Sequence, residues 1–597
     1  MSETKTPAKT PAKTPTPAAP ADLTTTPSRE RALLLVHLAT LAIAGIMLVW
    51  FGRNQWFGSD EWDALARRSV FGGGDLGLLA PHNEHWSTFG VLLYRAHLAV
   101  FGLRTYLPLM VVFVAVHLLA AHLLWRVMRR AGSDTLVATA LVAIFAILGS
   151  TGVELLYAWN VTFSGSIACG LAALLVMATT AGWDRRDGFV WGLLVAALVF
   201  SGVGVTMSIV AVLFAWWSRG WRDGLRVASV PAIVYAVWLL GWGSDGVDRG
   251  IQSAALERIP ETLWNSMTYV FELVTGWTGI GAVVVVLLVW FAFRDRSLSH
   301  RPAVLASACA IGAPLFFALT SLRRYGALGL FGVANDAWVK IPRYSYVAFA
   351  LLLPLIAVAV TRAFSRRVPQ TLVLLAVVAL VLVHQVVALD QAEARGARTD
   401  QEVREHVVAV AELLRDGAPR VTDHPLAYCC ADLDVASIER LARDGDLPDI
   451  TVSRRARDAA RTHLQVAFVG GADGPSGVPP ALTSVDAATL APGPGECAEV
   501  STGPVHPVVR LDVTGRSAVV VTSPQGGPLA LWLVPPSDLS TVDVPPSTAV
   551  PGGAALAAGL APNLPATIKI ADSGTLLVRL PTDAVVRFCD VVPDSSP

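Results

Sequence analysis

At 597 residues the chain exceeds one ordinary domain, and a make-up of 53% hydrophobic against 15% charged residues lies far from the globular average of about 25% charged. The 46 basic residues balance 46 acidic ones, so net charge gives no case for a nucleic-acid partner. This balance excludes an ordinary soluble enzyme and points to a polytopic membrane protein.

The first 30 residues repeat Pro, Thr and Ala around Lys5, Lys9 and Lys13, with nothing apolar enough to pack, which predicts a disordered cytoplasmic tail. The apolar run that follows, 32–52, is too long for the core of a cleaved signal peptide and is expected to be the first span. Further apolar runs lie at 106–125, 135–150, 161–181, 189–201, 203–218, 227–243, 276–293, 303–321, 346–361 and 371–389, about eleven spans in all.

Charge gives these spans a direction. Arginine-rich connections, RVMRR (126–130), WDRRDG (183–188), RGWRDGLR (219–226), RDRSLSHR (294–301) and RAFSRR (362–367), fall on every second turn. The positive-inside rule assigns that side to the cytoplasm. The chain is therefore expected to be a multi-pass plasma-membrane protein with a cytoplasmic N-terminus, and everything after about residue 390 is expected outside. The alternate loops, 53–105, 151–160, 244–275 and 322–345, are rich in acids and aromatics.

The outer region divides by texture. Residues 390–464 carry helical spacing with mixed charge, whereas 465–597 alternates Pro/Gly punctuation with short β-rich runs such as PVVRLDV, SAVVVTS, ATIKIAD and AVVRFCDVV. That pattern predicts a β-sandwich, and hence an extracytoplasmic α+β domain. Cys169 and Cys309 sit in apolar spans, while Cys429, Cys430, Cys497 and Cys589 lie where oxidation is permitted. Four cysteines allow three pairings. The places of Cys497 and Cys589 near the two ends of the β-rich module favour joining them, with Cys429 and Cys430 left as a vicinal pair or two free thiols.

Residue types that can do chemistry gather in the outer loops. Asp60 and Glu61 follow the first span closely and offer a general base with a charge partner. The string PHNEHW places His82, Glu84 and His85 in the same loop, and with either acid these side chains make an oxygen/imidazole site for a divalent ion feasible. Glu154 enters from the next outer loop beside Trp159 and Asn160. Arg323, Arg324, Arg343 and Tyr344 stand on the outer side against the charge trend and suit a phosphate held by charge-assisted forks. His117 and His122 read as packing or interhelical contacts.

Together the acidic motif after the first span (DEW), PHNEHW, Glu154 with the following WN, PRYSY and the odd-numbered bundle ending in an outer domain resemble the GT-C superfamily of integral-membrane glycosyltransferases. The likeness covers roughly residues 30–390. It implies a GT-C-like helical bundle and inverting transfer of a sugar from a polyprenyl-phosphate donor to an envelope glycan, lipid or protein acceptor, in contact with membrane lipids. Asp60 or Glu61 would take the acceptor proton, and Arg343, helped by Arg323, Arg324 or a metal, would stabilise the phosphate leaving group. The carboxylates and the basic groups are expected on opposing walls of one cavity. A lipid or glycan transporter, or a non-catalytic envelope scaffold, are the other classes compatible with many spans and an outer domain.

Reporter fusions at 130, 187, 224, 298 and 366 should all read as cytoplasmic, and a fusion at 450 as exported; a cytoplasmic reading at 450 would overturn the topology.

Overall fold

A computed structural model describes residues 27–69, 76–180, 182, 184–243, 253–295, 303–324, 340–363, 368–421, 425–426, 430–470, 482–484, 489–492, 497–504, 507–513, 517–534, 556–560 and 562–593. The expected N-terminal tail lies outside these residues up to 26, and Pro27–Glu30 already belong to the first helix.

The helices run in chain order as α1 (Pro27–Gly52), α2 (Thr88–Phe101), α3 (Leu107–Arg130), α4 (Thr135–Ala146), α5 (Val161–Ala178), α6 (Asp187–Phe200), α7 (Val203–Arg219) and α8 (Trp221–Gly241). They continue as α9 (Ser253–Thr275), α10 (Ile280–Arg294), α11 (Val304–Arg324), α12 (Pro342–Ala363), α13 (Val368–Arg415), α14 (Val435–Arg443) and α15 (Arg454–Gln465). Among the described residues eight helices are long and apolar enough to cross a membrane, or nine if the bent pair α9–α10 is one span. Every one of the eleven expected runs coincides with a helix. However, α6, α7 and α10, with 14, 17 and 15 residues, are short. At 1.5 Å per residue a helix of that size reaches roughly 21–26 Å, less than the ~30 Å hydrocarbon layer. Helices α9 and α10 meet at 115°. The loop expected at 53–105 also contains a helix, α2.

The helices that place the loops of interest are the most enclosed ones. The span at Thr135–Gly152, the span at Ala158–Ala178 and α12 bury most of their surfaces, whereas α1 and α13 leave apolar side chains such as Ile46, Trp50, Leu372 and Val383 outward. Inside, His117 bridges α3 to Tyr346 of α12 (2.9 Å) and to the Ala146 carbonyl of α4 (3.2 Å), and His122 meets His37 of α1 at 3.1 Å. Both are interhelical contacts, as their sequence positions suggest.

A boundary near residue 390 does not exist in the backbone. Helix α13 continues unbroken for 48 residues, roughly 72 Å at the helical rise, more than twice the hydrocarbon thickness. The segment past Asp390 is rich in Ala, Glu, Gln and Arg, all good helix formers, and holds no proline before Pro419, so nothing stops the helix at the end of its apolar part. It ends where Gly417 adopts φ +76°, a conformation that costs a residue without a Cβ little. Helices α14 and α15 bury Val435, Ile438, Leu441 and Leu464 in the same apolar cluster as the bundle. The 390–464 segment is therefore packed onto the helical region.

The β-rich module has its own core. Its strands are β3 (Val466–Gly470), β4 (Leu482–Ser484), β5 (Thr489–Pro492), β6 (Cys497–Ser501), β7 (Val508–Val513), β8 (Ser517–Thr522), β9 (Gly527–Val534), β10 (Leu556–Leu560), β11 (Ala566–Ile570), β12 (Gly574–Arg579) and β13 (Val585–Pro593), preceded by a small ribbon of β1 (Pro425–Leu426) and β2 (Cys430–Asp434). One sheet has the order β10-β9-β12-β7-β4, the other β3-β11-β8-β13-β6-β5, with antiparallel pairing throughout the described strands. Alternation drives the packing: in β11, Ala566, Ile568 and Ile570 are buried while Thr567 and Lys569 are half-exposed. Both sheets send such residues into one cluster, among them Val509, Leu531 and Val578 from the first and Val519, Ile568 and Phe588 from the second.

Cys497 and Cys589 face each other on β6 and β13 and form a disulfide with a Cα–Cα distance of 4.2 Å. Cys429 lies outside the described residues, as does the side chain of Cys430. Closing a loop of 92 residues stabilises the fold by about 4–5 kcal/mol in the chain-entropy model. Replacing both cysteines with serine should therefore lower the unfolding temperature of the β-rich module, read as earlier protease cleavage in 497–589 on heating; unchanged cleavage would mean that the sheets hold without the link.

Candidate active site

The site begins with one residue of unusual backbone. After α1 the chain turns at Gly58–Trp62, and Ser59 takes φ +46°, a left-handed conformation costly for a residue with a Cβ. Glu61 N–H donates to Gly58 O (3.1 Å), closing the turn. The neighbours Asp60 and Glu61 consequently have unlike surroundings.

Glu61 is wholly buried. One carboxylate oxygen accepts from the hydroxyls of Tyr94 (on α2) and Tyr106, and the other accepts from Gly58 N–H at 2.8 Å. Tyr106 in turn accepts from Ala158 N–H at 2.8 Å, and Tyr157 donates to Gly58 O at 3.1 Å, so this cluster joins loop one to the turn before α5. Burial raises the Glu61 pKa to about 8; the hydrogen bonds from Tyr106, Tyr94 and Gly58 offset it only in part.

Asp60, with 27% of its side chain exposed, stands in a different setting. Its Oδ2 meets Arg343 Nη1 at 3.3 Å and its Oδ1 lies 3.8 Å from His82 Nε2. Behind His82, Nδ1 reaches Asp63 Oδ2 at 2.8 Å, and Asp63 is paired with Arg68 at 2.8 Å. Ahead, Arg343 Nε approaches Glu154 Oε1 at 3.4 Å. The result is one row of alternating charge, Arg68, Asp63, His82, Asp60, Arg343 and Glu154. Burial alone would push His82 towards neutrality, but Asp60 and Asp63 on its two sides raise its pKa to about 9. Burial likewise opposes ionisation of Asp60 and Asp63, yet His82 with Arg343, and His82 with Arg68, hold both carboxyls below the usual range. Glu154 is shifted the other way: burial raises it, against the pull of Arg343 and the Asn160 amide.

Local structure explains how distant parts of the chain meet. Asp63 opens a π-helical turn, Asp63–Arg67, and is buried there with Ala64, Leu65 and Ala66. Arg68 is buried and donates to the carbonyls of Gly77 (3.3 Å), Ala80 and Pro81 (2.6 Å), pulling the return limb of loop one beneath it. That limb ends in a tight ring in which His82 and His85 exchange both backbone hydrogen bonds at 2.9 Å, with Asn83 at φ +51°. Trp159 packs edge-on to His82 at 5.2 Å. The Glu154 turn is held from behind: Gln385 of α13 accepts from Ser150 N–H (2.8 Å) and donates to Val274 O (2.6 Å). Gly149 is required there, because a Cβ would stand 2.0 Å from the Gln385 carbonyl oxygen.

Asp60, His82, Glu154 and Arg343, expected from the sequence to converge, do converge. Their arrangement is contact between acid and base, not two opposing walls. Glu84 and His85 are near each other at 3.7 Å, and His85 leans on Gly202 at the start of α7 and on Phe163. Tyr344 is buried against Phe316. Arg323 and Arg324 end α11, with side chains outside the described residues. Asp63, Arg68, Tyr94, Tyr106 and Tyr157 also belong to the site, although no motif in the sequence marks them. The one available signal was the spacing of Asp60 and Asp63, three apart and so on one side of a helical turn. Among the described residues no group of three or more His, Cys, Asp or Glu side chains is arranged to hold a metal ion. The carboxylates and His82 are instead paired with one another and with arginines.

Comparison with protein-family models, curated proteins and solved structures gives no match to this chain. The functional reading therefore rests on the site itself.

The raised pKa of Glu61 has a signed consequence. Below about pH 4.5 the group is protonated folded or unfolded; between there and about 8 the unfolded chain ionises first, so stability falls with rising pH over that window and the loss is complete above it. Glu61→Gln removes this component, and its unfolding temperature should fall less between pH 5 and 8 than that of the parent. Parallel curves for the two proteins would contradict a neutral Glu61.

Proposed function

We propose that this chain is an integral-membrane glycosyltransferase of the GT-C type, moving a sugar from a polyprenyl-phosphate donor to a cell-envelope acceptor at the outer membrane face. The observation that carries the reading is the Asp60–Arg343 pair, a half-exposed carboxylate and a half-exposed guanidinium at the end of the most enclosed helices, with Glu154 as the arginine's second partner. These are the two functions an inverting transfer demands, a base for the incoming hydroxyl and a cation for the departing phosphate.

The acceptor oxygen attacks the anomeric carbon while its proton passes to Asp60. The bond from that carbon to the phosphate oxygen breaks, and its electron pair leaves on polyprenyl phosphate, where Arg343 meets the charge through a fork of two N–H donors. At rest, His82 and Arg343 keep Asp60 a weak base. A donor phosphate competes for Arg343, and as the arginine turns to it Asp60 loses one cation and gains basicity. Glu61 positions the turn through the two tyrosines and takes no proton from the acceptor. Trp159 and the 82–85 ring form the wall beside Asp60.

In the same reading the runs of α6, α7 and the bent α9–α10 complete an eleven-span bundle with the N-terminus inside, and the two sheets form a β-sandwich that faces the acceptor glycan. The clustering of charge at helix ends in outer loops favours an enzyme over a transporter, which needs ionisable groups at mid-membrane.

Transfer by the purified protein in nanodiscs, with polyprenyl-phosphate sugar donors, tests the roles separately. Asp60→Asn should lower the rate about 10²- to 10⁴-fold, as loss of a general base does. Arg343→Ala should raise the KM for donor as well as lower kcat, and Glu61→Gln should retain turnover in proportion to folded protein. Wild-type rates in Asp60→Asn would end this assignment.

A further inference from the structure

A cavity of about 530 Å³, whose lining includes neither Asp60 nor Arg343, lies between the end of α1, the residues leading into α3, the extended part of α13 and the loop before α15. Four arginines line it: Arg53, Arg104, Arg398 and Arg404. Each spends little of its donor capacity. Arg53 stacks on Trp50 (3.7 Å) and donates to the Trp50 carbonyl, Arg104 donates to Gly445 O (2.7 Å), and Arg398 Nε donates to Ala394 O (2.7 Å). Among the described residues none of the four forms an ion pair with a carboxylate; Arg104 acts on Asp446 through its charge, as Arg95 does. The lining acid, Glu405, is turned to Gln401 (3.0 Å) and to Ser453 N–H (3.4 Å) and hydroxyl.

Two buried donors in this lining have no acceptor. Gln55, more than nine-tenths buried, presents an unpartnered Nε2, and Arg404 an unpartnered Nε. A buried N–H without a partner forfeits the hydration it had in water, so such a pair beside an open cavity marks a place where an acceptor belongs. The height of the cavity narrows its nature. Arg53 is one residue past α1, and Arg104 three residues before α3, two helices long and apolar enough to span. The pocket thus opens at headgroup level.

We infer that this basic cavity binds a phosphate group at the membrane surface, separately from Asp60 and Arg343. Four guanidinium groups against one occupied carboxylate suit a phosphate mono- or diester, which accepts paired N–H donors from arginine. The volume suits a headgroup or a sugar phosphate and excludes neither. The inference does not depend on the transferase reading, since it concerns binding without turnover.

The test uses the full chain. In one arm, native mass spectrometry follows retention of phosphatidylglycerol over phosphatidylcholine after delipidation. In the other, calorimetry measures inorganic pyrophosphate binding to protein in phosphatidylcholine nanodiscs. The double variant Arg398→Gln/Arg404→Gln should lower binding at least 10-fold in one arm, and Arg457→Gln, on the outer face of α15 against Glu412, should leave it unchanged. Loss of lipid retention assigns a lipid headgroup; loss of pyrophosphate binding assigns a soluble phosphate ligand. Arg104→Gln serves as a second variant should the double one fail to give a single, monodisperse folded species. The proposal is overturned if folded variants bind both probes as the parent does, or if the parent binds neither.

Discussion

Six side chains of alternating charge, Arg68, Asp63, His82, Asp60, Arg343 and Glu154, hold loop one against the helical bundle. Most of these groups are buried or nearly so, and a buried charge is tolerable only beside its opposite. Each member therefore requires the next, and the row can exist in one arrangement of its three chain segments. Loop one cannot shift against α12 without parting Asp60 from Arg343, and α12 cannot rotate without taking Arg343 from both acids. Removing an inner member leaves an unpaired buried ion, which is why such rows specify a structure even where they add little net stability.

The row also sorts two adjacent acids into different tasks. With Ser59 in a left-handed conformation, Asp60 joins the charges and Glu61 enters an apolar setting closed by Tyr94 and Tyr106. The same motif thereby yields one ionised and accessible carboxylate and one buried and hydrogen-bonded carboxyl. A pair of pKa values driven apart by environment is how a site separates a reacting acid from a supporting one.

Beyond the membrane helices, α13 links the two halves of the molecule. Its Gln385 secures the turn that carries Glu154, its Asp400 accepts from Trp56 N–H at 2.8 Å, and its last turns receive α14 and α15. Loop one is tied to the segment after α13 by Arg67 and Asp432 at 2.8 Å and by the Leu103 N–H to Asp446 O at 2.7 Å. The β-rich module, with its separate core, is stabilised chiefly within itself.

The sequence alone determined those features that depend on composition over a window. Apolar runs fell on helices because burial in lipid or in a bundle needs some 20 apolar residues in a row, and strand runs such as ATIKIAD fell on β11 because alternation has a period of two. Cys497 and Cys589 paired because the two ends of an antiparallel module lie side by side. What only the tertiary structure decided was which polar side chains meet. Asp63 and Arg68 look like any solvated loop charges until the π-turn buries them, and Asp60 and Glu61 are indistinguishable until backbone dihedrals separate them. That the last apolar run and the helical segment after it form one unbroken helix was equally hidden, since helix propensity continues through residue 415 after hydrophobicity has stopped. Window averages report the solvent a segment prefers, whereas charge pairing depends on contacts between residues as far apart as Arg67 and Asp432, 365 positions, which no local pattern encodes.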